Sequence, residues 1–383
     1  MRSKSFQVGY IFLMLLLLCT FANGQSEPTA AQLVEQGLQF GNEKQYDKAI
    51  ESFRQAIKLD PNLSAAHGGL GAALIGMQRN LDAIEPLKTA VLLDPKNARA
   101  FINLGLAYGN LRRYDESISA LTEATKLQPN DARIIAYLAG ASDDAGKFED
   151  ALIYFKKAYE LEPRNIANLY NQGLVFNRMG RYADAIDVLK ETVRRGPDHK
   201  AAWFNLGMAY NKTGKYSDAV IAFTRLLELA PDDRTALPNR SITYLYAGNA
   251  GREAARDAER FLSVYGWQAP PSAYQAIIAI VGYREAGMEA EADRIIALAK
   301  KKLDPSQWAF NVIRYYANEL SADDLLKLAA NNDQRTEAHV YVGMGMRIKG
   351  ESNDAVTHFQ WAKQYGNATF VEYTLAVAEL SRQ

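Results

Sequence analysis

The sequence has almost no cysteine, few histidines and no excess of charge of either sign. Its one cysteine, Cys19, lies near the N-terminus, so disulfide bonds and thiol chemistry are excluded for the rest of the chain. The chain has 44 lysine and arginine residues together, and aspartate and glutamate together also number 44. A protein that binds a polyanion usually carries a basic excess or a basic stripe. No nucleic-acid partner is therefore expected.

The residue pattern gives little support for a catalytic centre. The chain has 4 histidines, and no His-Glu-x-x-His or similar metal-ligand spacing joins them. No Gly-x-Ser-x-Gly nucleophile turn and no phosphate-binding glycine loop occur. Carboxylate pairs such as Asp143-Asp144 stand at predicted turns, where capping explains them. The sequence therefore predicts no enzyme, no cofactor, no metal site and no catalytic residue.

The N-terminal segment, residues 1–24, has the pattern of a secretory signal. Arg2 and Lys4 precede an apolar run from Ile11 to Leu18, and the small-x-small triplet Ala22-Asn23-Gly24 follows. The apolar stretch falls short of the roughly 20 residues that span a bilayer. We therefore predict cleavage after Gly24 and an exported protein, periplasmic or secreted, of a bacterial envelope.

Lipidation at Cys19 is the alternative to cleavage after Gly24. A lipoprotein signal places a small residue before its cysteine, and Leu18 stands there instead. Membrane attachment through Cys19 is the less favoured alternative, and it stays open.

A repeat of 34 residues runs through residues 30–233. A small residue recurs at Gly37, Gly71, Gly105, Ala139, Gly173 and Gly207. A second small residue recurs at Ala49, Ala83, Ser117, Ala151, Ala185 and Ala219. A bulky apolar residue recurs at Phe53, Leu87, Leu121, Phe155, Leu189 and Phe223. Proline closes each repeat at Pro61, Pro95, Pro129, Pro163, Pro197 and Pro231.

Each of these columns has a physical cause. Two helices approach to about 8–10 Å only where the facing side chains are small. The bulky residue lies on the same helix face as the second small one and fills the groove to the next repeat. Proline disfavours helix in the residue before it, so the second helix ends there. The columns therefore predict a stack of helix-turn-helix units.

This pattern resembles the tetratricopeptide repeat. The stretch from Trp203 to Tyr210 is similar to the first helix of that family. The resemblance implies an all-α fold, a right-handed superhelical solenoid of helix hairpins whose first helices line a concave face. His67 and His339 fall on first helices and are expected to pack between them.

The domain organisation follows from where the repeat is regular. We predict six regular repeats over residues 30–233 and a degenerate repeat over 234–265, where Pro238 falls inside the first helix. Residues 266–383 are predicted to form an irregular, repeat-like helical region that ends in a capping helix.

The end of the chain is also similar to NlpI-type bacterial tetratricopeptide lipoproteins. The similarity rests on the segments His358–Lys363 and Val371–Tyr373. Those proteins are envelope adaptors that present substrates to a protease. The absence of their lipobox is a departure from the pattern.

One polar column points to a binding surface. Two residues before the repeat's small residue, asparagine recurs at Asn103, Asn171, Asn205 and Asn239. The repeat between those of Asn103 and Asn171 has Tyr137 at this place. In the resembled family this place faces the concave groove, and the O-GlcNAc transferase superhelix has a similar asparagine ladder. An amide both donates and accepts hydrogen bonds, which suits the backbone of an extended peptide. The alternative is that asparagine is merely a common solvated residue here.

Other candidate binding residues surround this column. Arg99 and Arg133 precede it by one turn and are expected to meet acidic side chains. Tyr170 and Phe204 stand beside it and offer aromatic contacts, with core packing as an equal alternative. Asn177 and Asn211 follow it by about two turns.

The leading hypothesis is a non-catalytic adaptor that binds other proteins or peptides along the groove. The first alternative is a scaffold that forms a homodimer through its C-terminal third. The second is a hydrolase in the degenerate region from Gly266 to Asn332, for which no nucleophile and base are evident.

Overall fold

The structure, a computed structural model, describes residues 27–248 and 250–382. Every regular element in these two ranges is an α-helix, and no strand occurs in them. None of the helices in this part of the chain is both long and apolar enough to cross a membrane. Residues 1–24, with the predicted signal and Cys19, lie outside the described residues.

The chain divides into two compact units, one ending at Pro163 and the other beginning at Arg164. The N-terminal unit is built from helix pairs. Its helices are α1 (Ala30–Asn42), α2 (Tyr46–Leu59), α3 (Ser64–Gly76), α4 (Asn80–Leu93), α5 (Ala98–Asn110), α6 (Tyr114–Leu127), α7 (Ala132–Asp144) and α8 (Phe148–Leu161).

The C-terminal unit continues with helix pairs and then becomes irregular. Its paired helices are α9 (Ala167–Arg178), α10 (Tyr182–Arg195), α11 (Lys200–Lys212), α12 (Tyr216–Leu229), α13 (Ala236–Ala247), α14 (Gly251–Tyr265), α15 (Ser272–Glu285) and α16 (Glu289–Lys302). The remaining helices are α17 (Trp308–Tyr316), α18 (Ala322–Leu328), α19 (Asn332–Ile348), α20 (Ser352–Tyr365) and α21 (Val371–Leu380). Pro238 stands in the first turn of α13, where a missing backbone N–H costs no helical hydrogen bond.

The small and bulky columns form the core of the helix pairs. Ala49, Ala83 and Ala185 are fully buried. A Cβ atom added at Gly105 would lie 2.6 Å from Leu121 Cγ, and one at Gly173 would lie 2.7 Å from Leu189 Cδ2. The bulky residue therefore packs directly on the glycine of its own repeat, a contact that the sequence analysis did not predict.

The turn inside each pair needs a left-handed backbone. Gly146 and Gly180 have φ of 75° and 72° there. Arg112, at the same place one repeat earlier, has φ of 59° and carries a side chain. Because a left-handed conformation costs a non-glycine residue about 1–2 kcal/mol, the earlier repeats hold strained turns.

The last helix, α21, returns to the middle of the C-terminal unit. It packs on α13, α19 and α20. The Tyr246 hydroxyl donates to the Val371 carbonyl at 3.0 Å, and the Arg382 guanidinium donates to the Leu245 and Tyr246 carbonyls at 3.0 and 2.9 Å. The end of the chain therefore packs back on α13, the first helix of the predicted degenerate repeat.

Candidate functional site

The amide column, defined as Asn103, Tyr137, Asn171, Asn205 and Asn239, lies on the first helices α5, α7, α9, α11 and α13. Tyr137 is 44% exposed, and the four asparagines are half-buried. The first helices are separated by one repeat, so the column places one polar or aromatic group on each.

In the N-terminal unit, Arg99 and Arg133 occupy equivalent places but differ in their partners. The Arg133 guanidinium donates to the Asp131 carboxylate at 2.9 Å and holds the pKa of that carboxyl below its usual range. Asp131 is also the N-cap of α7. The N-cap of α5 is Asn97, which is neutral. Arg99 is exposed and has no ion pair within the described residues, so its charge is open to a ligand.

A pocket of about 280 Å³ lies among the helices of the first three repeats. Its lining comes from α1, α2, α3 and α5 together with the cap residue Asn97. Arg99 and Asn103, both predicted from sequence, lie in this lining. Glycine and alanine predominate on the α3 side, which is the feature that sequence reasoning missed. The absence of a side chain at Gly69, in the register of the amide column, was the available signal.

In the C-terminal unit, the amide column is partly used for internal contacts. Asn205 Nδ2 donates to the Tyr170 hydroxyl at 3.2 Å and to the Ala201 carbonyl at 2.9 Å. Asn239 Nδ2 donates to the Thr235 carbonyl at 2.7 Å. The first of these bonds joins α9 to α11, so it brings neighbouring members of the predicted site together. Both amides keep their oxygen as an acceptor.

Asn103 and Asn171 differ from these two. Neither side chain makes a hydrogen bond within the part of the chain that the structure describes. An amide that is half-buried and unpaired retains both its donor and its acceptor for a ligand. These two residues are therefore the members of the column that are best suited to binding.

The aromatic candidates pack against other rings. Tyr170 contacts His199 with ring centroids 4.6 Å apart, and Phe204 contacts Phe223 at 6.0 Å. Burial raises the pKa of the Tyr170 hydroxyl. Both residues are half-buried, so each contributes to packing and stays partly exposed.

Asn177 and Asn211 differ in burial. Asn211 is buried, and its Nδ2 donates to Thr243 Oγ1 at 2.8 Å across to α13. Asn177 is half-buried, and its Oδ1 atom is buried and has no hydrogen-bond partner among the described residues. Asn211 therefore joins two helices, whereas Asn177 stays a predicted binding residue.

The histidines form one close pair. His339 Nδ1 lies 3.0 Å from His358 Nδ1, and the His339 ring stacks on Trp361 with centroids 3.9 Å apart. Burial, with a smaller effect of His358, lowers the pKa of His339 to about 4. Within residues 27–248 and 250–382, no group of three histidine, cysteine or acidic side chains is placed to hold a metal ion. The pair is therefore a neutral packing contact at neutral pH.

Comparison with protein families decides the architecture. A family model described as tetratricopeptide repeat matches residues 102–166 and 170–234, and a second model of the same description matches residues 42–101. The chain is a tetratricopeptide-repeat protein. The predicted all-helical array of helix pairs is thereby confirmed. Such repeats mediate binding to proteins and peptides, and their scaffold families are generally non-catalytic.

Solved structures of other repeat proteins share this fold. The C-terminal part of a repeat-containing protein from Cytophaga hutchinsonii is 17% identical, with a TM-score of 0.56 over 64% of this chain and 98% of that one. PilF of Pseudomonas aeruginosa is 21% identical, with a TM-score of 0.45 over 53% and 92%. YrrB, described as having an unusual peptide-binding site, is 20% identical, with a TM-score of 0.43 over 49% and 97%.

At 17% identity, the likeness to the Cytophaga hutchinsonii protein shows the fold alone. No curated protein sequence matches the chain. The predicted similarity of the tail to NlpI-type lipoproteins stays a prediction.

Proposed function

We propose that this protein is an exported, non-catalytic adaptor that holds extended polypeptide segments along the first helices of each of its two units. The observation that carries the proposal is the pair of unpaired, half-buried amides at Asn103 and Asn171. They recur at one place of the repeat, although asparagine is a mediocre helix former. A ligand role explains why such a residue recurs.

The chemistry of these amides favours a polypeptide backbone as the ligand. An extended chain presents N–H and C=O groups at regular intervals, and each asparagine amide pairs with one of each. This grip does not depend on the side chains of the ligand. The free guanidinium of Arg99 and the exposed ring of Tyr137 add side-chain contacts in the N-terminal unit.

Export is part of the proposal because of residues 1–24. Their basic start, apolar run and small-x-small end favour a cleaved signal, with Cys19 lipidation as the alternative. Mass spectrometry of the protein recovered from envelope and soluble fractions separates the two outcomes. A mature chain that begins at Gln25 supports export with cleavage after Gly24. An intact Met1 on the recovered protein contradicts it.

Replacing the two unpaired amides tests the groove. A random dodecapeptide library is selected on the wild-type protein, and the affinity of a selected peptide is measured by fluorescence anisotropy. The double variant Asn103→Ala and Asn171→Ala, with one change in each unit, should weaken binding on the order of tenfold, because the amide in contact with the peptide loses its hydrogen bonds. Its helical circular dichroism should be unchanged, since both side chains lack internal partners.

Asn110→Ala is the matched control, because Asn110 is an exposed asparagine of the same helix α5 outside the amide column. It should bind the peptide as the wild type does. Equal affinity of the double variant and the wild type would remove the amide column from the proposal. A wild-type protein that selects no peptide would contradict groove binding as a whole.

A further inference from the structure

The pocket in the N-terminal unit differs from the rest of the first-helix face in side-chain volume. On α3 its lining consists of Ala65, Gly68, Gly69, Ala72 and Ala73. Gly69 stands where the following repeats have asparagine or tyrosine. Ala72 stands where leucine or methionine occurs in most other repeats. Among the first helices of the regular repeats, α3 alone has a small residue at both places. The pocket lies beside these residues, between α1 and α5.

Apolar groups form the walls of this pocket. Leu38 is 42% exposed on α1, and Tyr46 and Phe53 contribute from α2. A Cβ atom at Gly69 would lie 2.3 Å from the Phe53 ring, so the missing side chain lets that buried ring, 2% exposed, pack against the backbone of α3 and form the floor of the pocket. An apolar cavity of about 150 Å³ holds a benzene molecule. At about 280 Å³, this pocket has room for a phenyl or indole ring.

The pocket carries charge of one sign. Arg99 is the charged residue in its lining, and the polar groups Asn42, Asn97 and Asn103 are neutral. Arg133, at the equivalent place of the next repeat, is neutralised by Asp131, whereas the N-cap beside Arg99 is Asn97. The single uncompensated cation makes the pocket complementary to an apolar group that is adjacent to a carboxylate.

We propose that this pocket selects the bound polypeptide by accepting one bulky apolar or aromatic side chain, while Arg99 pairs with an aspartate or glutamate next to it. The proposal rests on the proposed function, because the occupant is a segment of the polypeptide held along the first helices. Asn103 lies in the same lining and connects the pocket to the amide column. The amide column then provides general affinity, and the pocket provides sequence preference.

Two variants test the two halves of the pocket. Ala72→Leu fills the pocket. The two neighbouring repeats already have leucine at this position, Leu38 and Leu106, so the fold should tolerate the change. Arg99→Gln removes the charge and keeps a polar side chain. Random dodecapeptide libraries are selected on wild-type protein and on each variant, and the enriched sequences and their affinities are compared.

The wild-type protein should enrich an aromatic or large aliphatic residue adjacent to an acidic one. Ala72→Leu should lose the apolar preference and bind the wild-type peptide about tenfold or more weakly, as expected when a side-chain pocket is blocked. Arg99→Gln should lose the preference for aspartate over asparagine. Its affinity for the wild-type peptide should be roughly threefold to fivefold weaker, which is the contribution of an exposed ion pair.

The controls lie outside the pocket. Gly140→Leu fills the position equivalent to Ala72 on α7, where an added Cβ meets no other atom within 4 Å. Arg113→Gln removes an arginine that Glu116 already pairs. Both should keep the wild-type sequence preference. Circular dichroism melting of all four variants checks that each is folded.

The outcomes separate this inference from the proposed function. Peptide binding that depends on Asn103 but shows no apolar-acidic preference overturns the pocket and leaves the groove. A preference that survives both Ala72→Leu and Arg99→Gln also overturns the pocket. Failure of the wild-type protein to bind any peptide overturns both proposals.

Discussion

At the residue scale, Glu337 of α19 is an acidic side chain held inside a helical core. It is 4% exposed and accepts hydrogen bonds from the Tyr274 hydroxyl at 3.1 Å and from Trp308 Nε1 at 3.0 Å. Burial, and then repulsion by the Glu372 carboxylate, raise the pKa of Glu337 to about 8. The carboxyl is therefore mostly protonated when the folded protein is at neutral pH.

This raised pKa predicts a pH-dependent stability. At a pH between 4.5, the ordinary pKa of a glutamate, and about 8, Glu337 keeps a proton in the folded protein that it releases in the unfolded chain. The contribution of Glu337 to the free energy of unfolding is therefore complete below about pH 4.5 and is lost as the pH rises through about 8. The loss is on the order of a few kcal/mol. Glu337→Gln, which cannot ionise, should unfold with a flatter pH profile between pH 5 and 9 in urea titrations.

Glu253→Gln, at an exposed position of α14, is the control and should keep the wild-type profile. A Glu337→Gln profile as steep as that of the wild type would mean that another group causes the pH dependence. Trp203, Trp267, Trp308 and Trp361 are all the tryptophans of the chain, and all lie in the C-terminal unit. Their fluorescence therefore reports the unfolding of the unit that contains Glu337.

The amide column shows where sequence reasoning ends at this scale. The recurrence of asparagine predicts an amide at the same place on four first helices, and these are α5, α9, α11 and α13 in the structure. Whether each amide is available depends on its neighbours. Asn205 meets the Tyr170 hydroxyl and Asn211 meets Thr243, and both contacts come from a different helix. The register alone cannot say which rotamer a neighbouring helix will favour.

At the element scale, the repeat glycines predict opposite effects of the same substitution. Gly105→Ala should destabilise the N-terminal unit by about 1–3 kcal/mol, because the new Cβ would lie 2.6 Å from Leu121. Gly140→Ala should stabilise it by about 0.5–1 kcal/mol, because alanine is the better helix former and the new Cβ meets nothing within 4 Å.

Thermal melting followed by circular dichroism measures both changes in one unit. The two sites lie on the first helices α5 and α7, so each is the control for the other. If Gly105→Ala melted at or above the wild-type temperature, the packing of the bulky column on the repeat glycine would be wrong.

The turn residues show what the sequence left unrecognised at this scale. Gly146, Gly180 and Gly214 recur at one place and have positive φ, and this column of glycines was a readable signal for the turn. In the earlier repeats Lys44, Gln78 and Arg112 adopt the same conformation. Nothing in their side chains indicates it, because the geometry of the helix pair imposes the strained backbone on them.

At the scale of the whole molecule, the return of α21 to α13 could not be inferred from the repeat. The register predicts neighbours one repeat apart, whereas Arg382 contacts Leu245 and Tyr246 far along the chain. The salt bridges of Glu379 with Arg382 at 2.8 Å and with Arg347 at 3.2 Å complete this junction. Glu379 is 3% exposed, so its charge depends on these two partners.

Removing Arg382 should therefore loosen the C-terminal unit. Arg382→Ala should lower its stability by about 2 kcal/mol, because two carbonyls at the end of α13 and a buried carboxylate lose a charged donor. Urea unfolding followed by tryptophan fluorescence measures the change. Arg252→Ala, at an exposed position of α14, is the control and should unfold as the wild type does. Unfolding of Arg382→Ala at the wild-type urea midpoint would show that the junction contributes nothing.

The regular repeats were predictable because their columns record packing between neighbours in sequence. The predicted boundaries at residues 233 and 265 remain predictions, as do export, lipidation and dimer formation. Export and lipidation depend on residues outside the described ranges, and dimer formation depends on a partner molecule.

Site-specific photo-crosslinking tests the central claim, that the first-helix face binds an extended polypeptide, most directly. A benzophenone amino acid replaces Tyr137 on α7, and in a second variant it replaces Ile153, which is 63% exposed on the second helix α8. Each protein is irradiated with a peptide selected on the wild type. The account predicts adducts from position 137, with linkages confined to a few adjacent peptide residues, and none from position 153. Adducts from position 153 alone would contradict it.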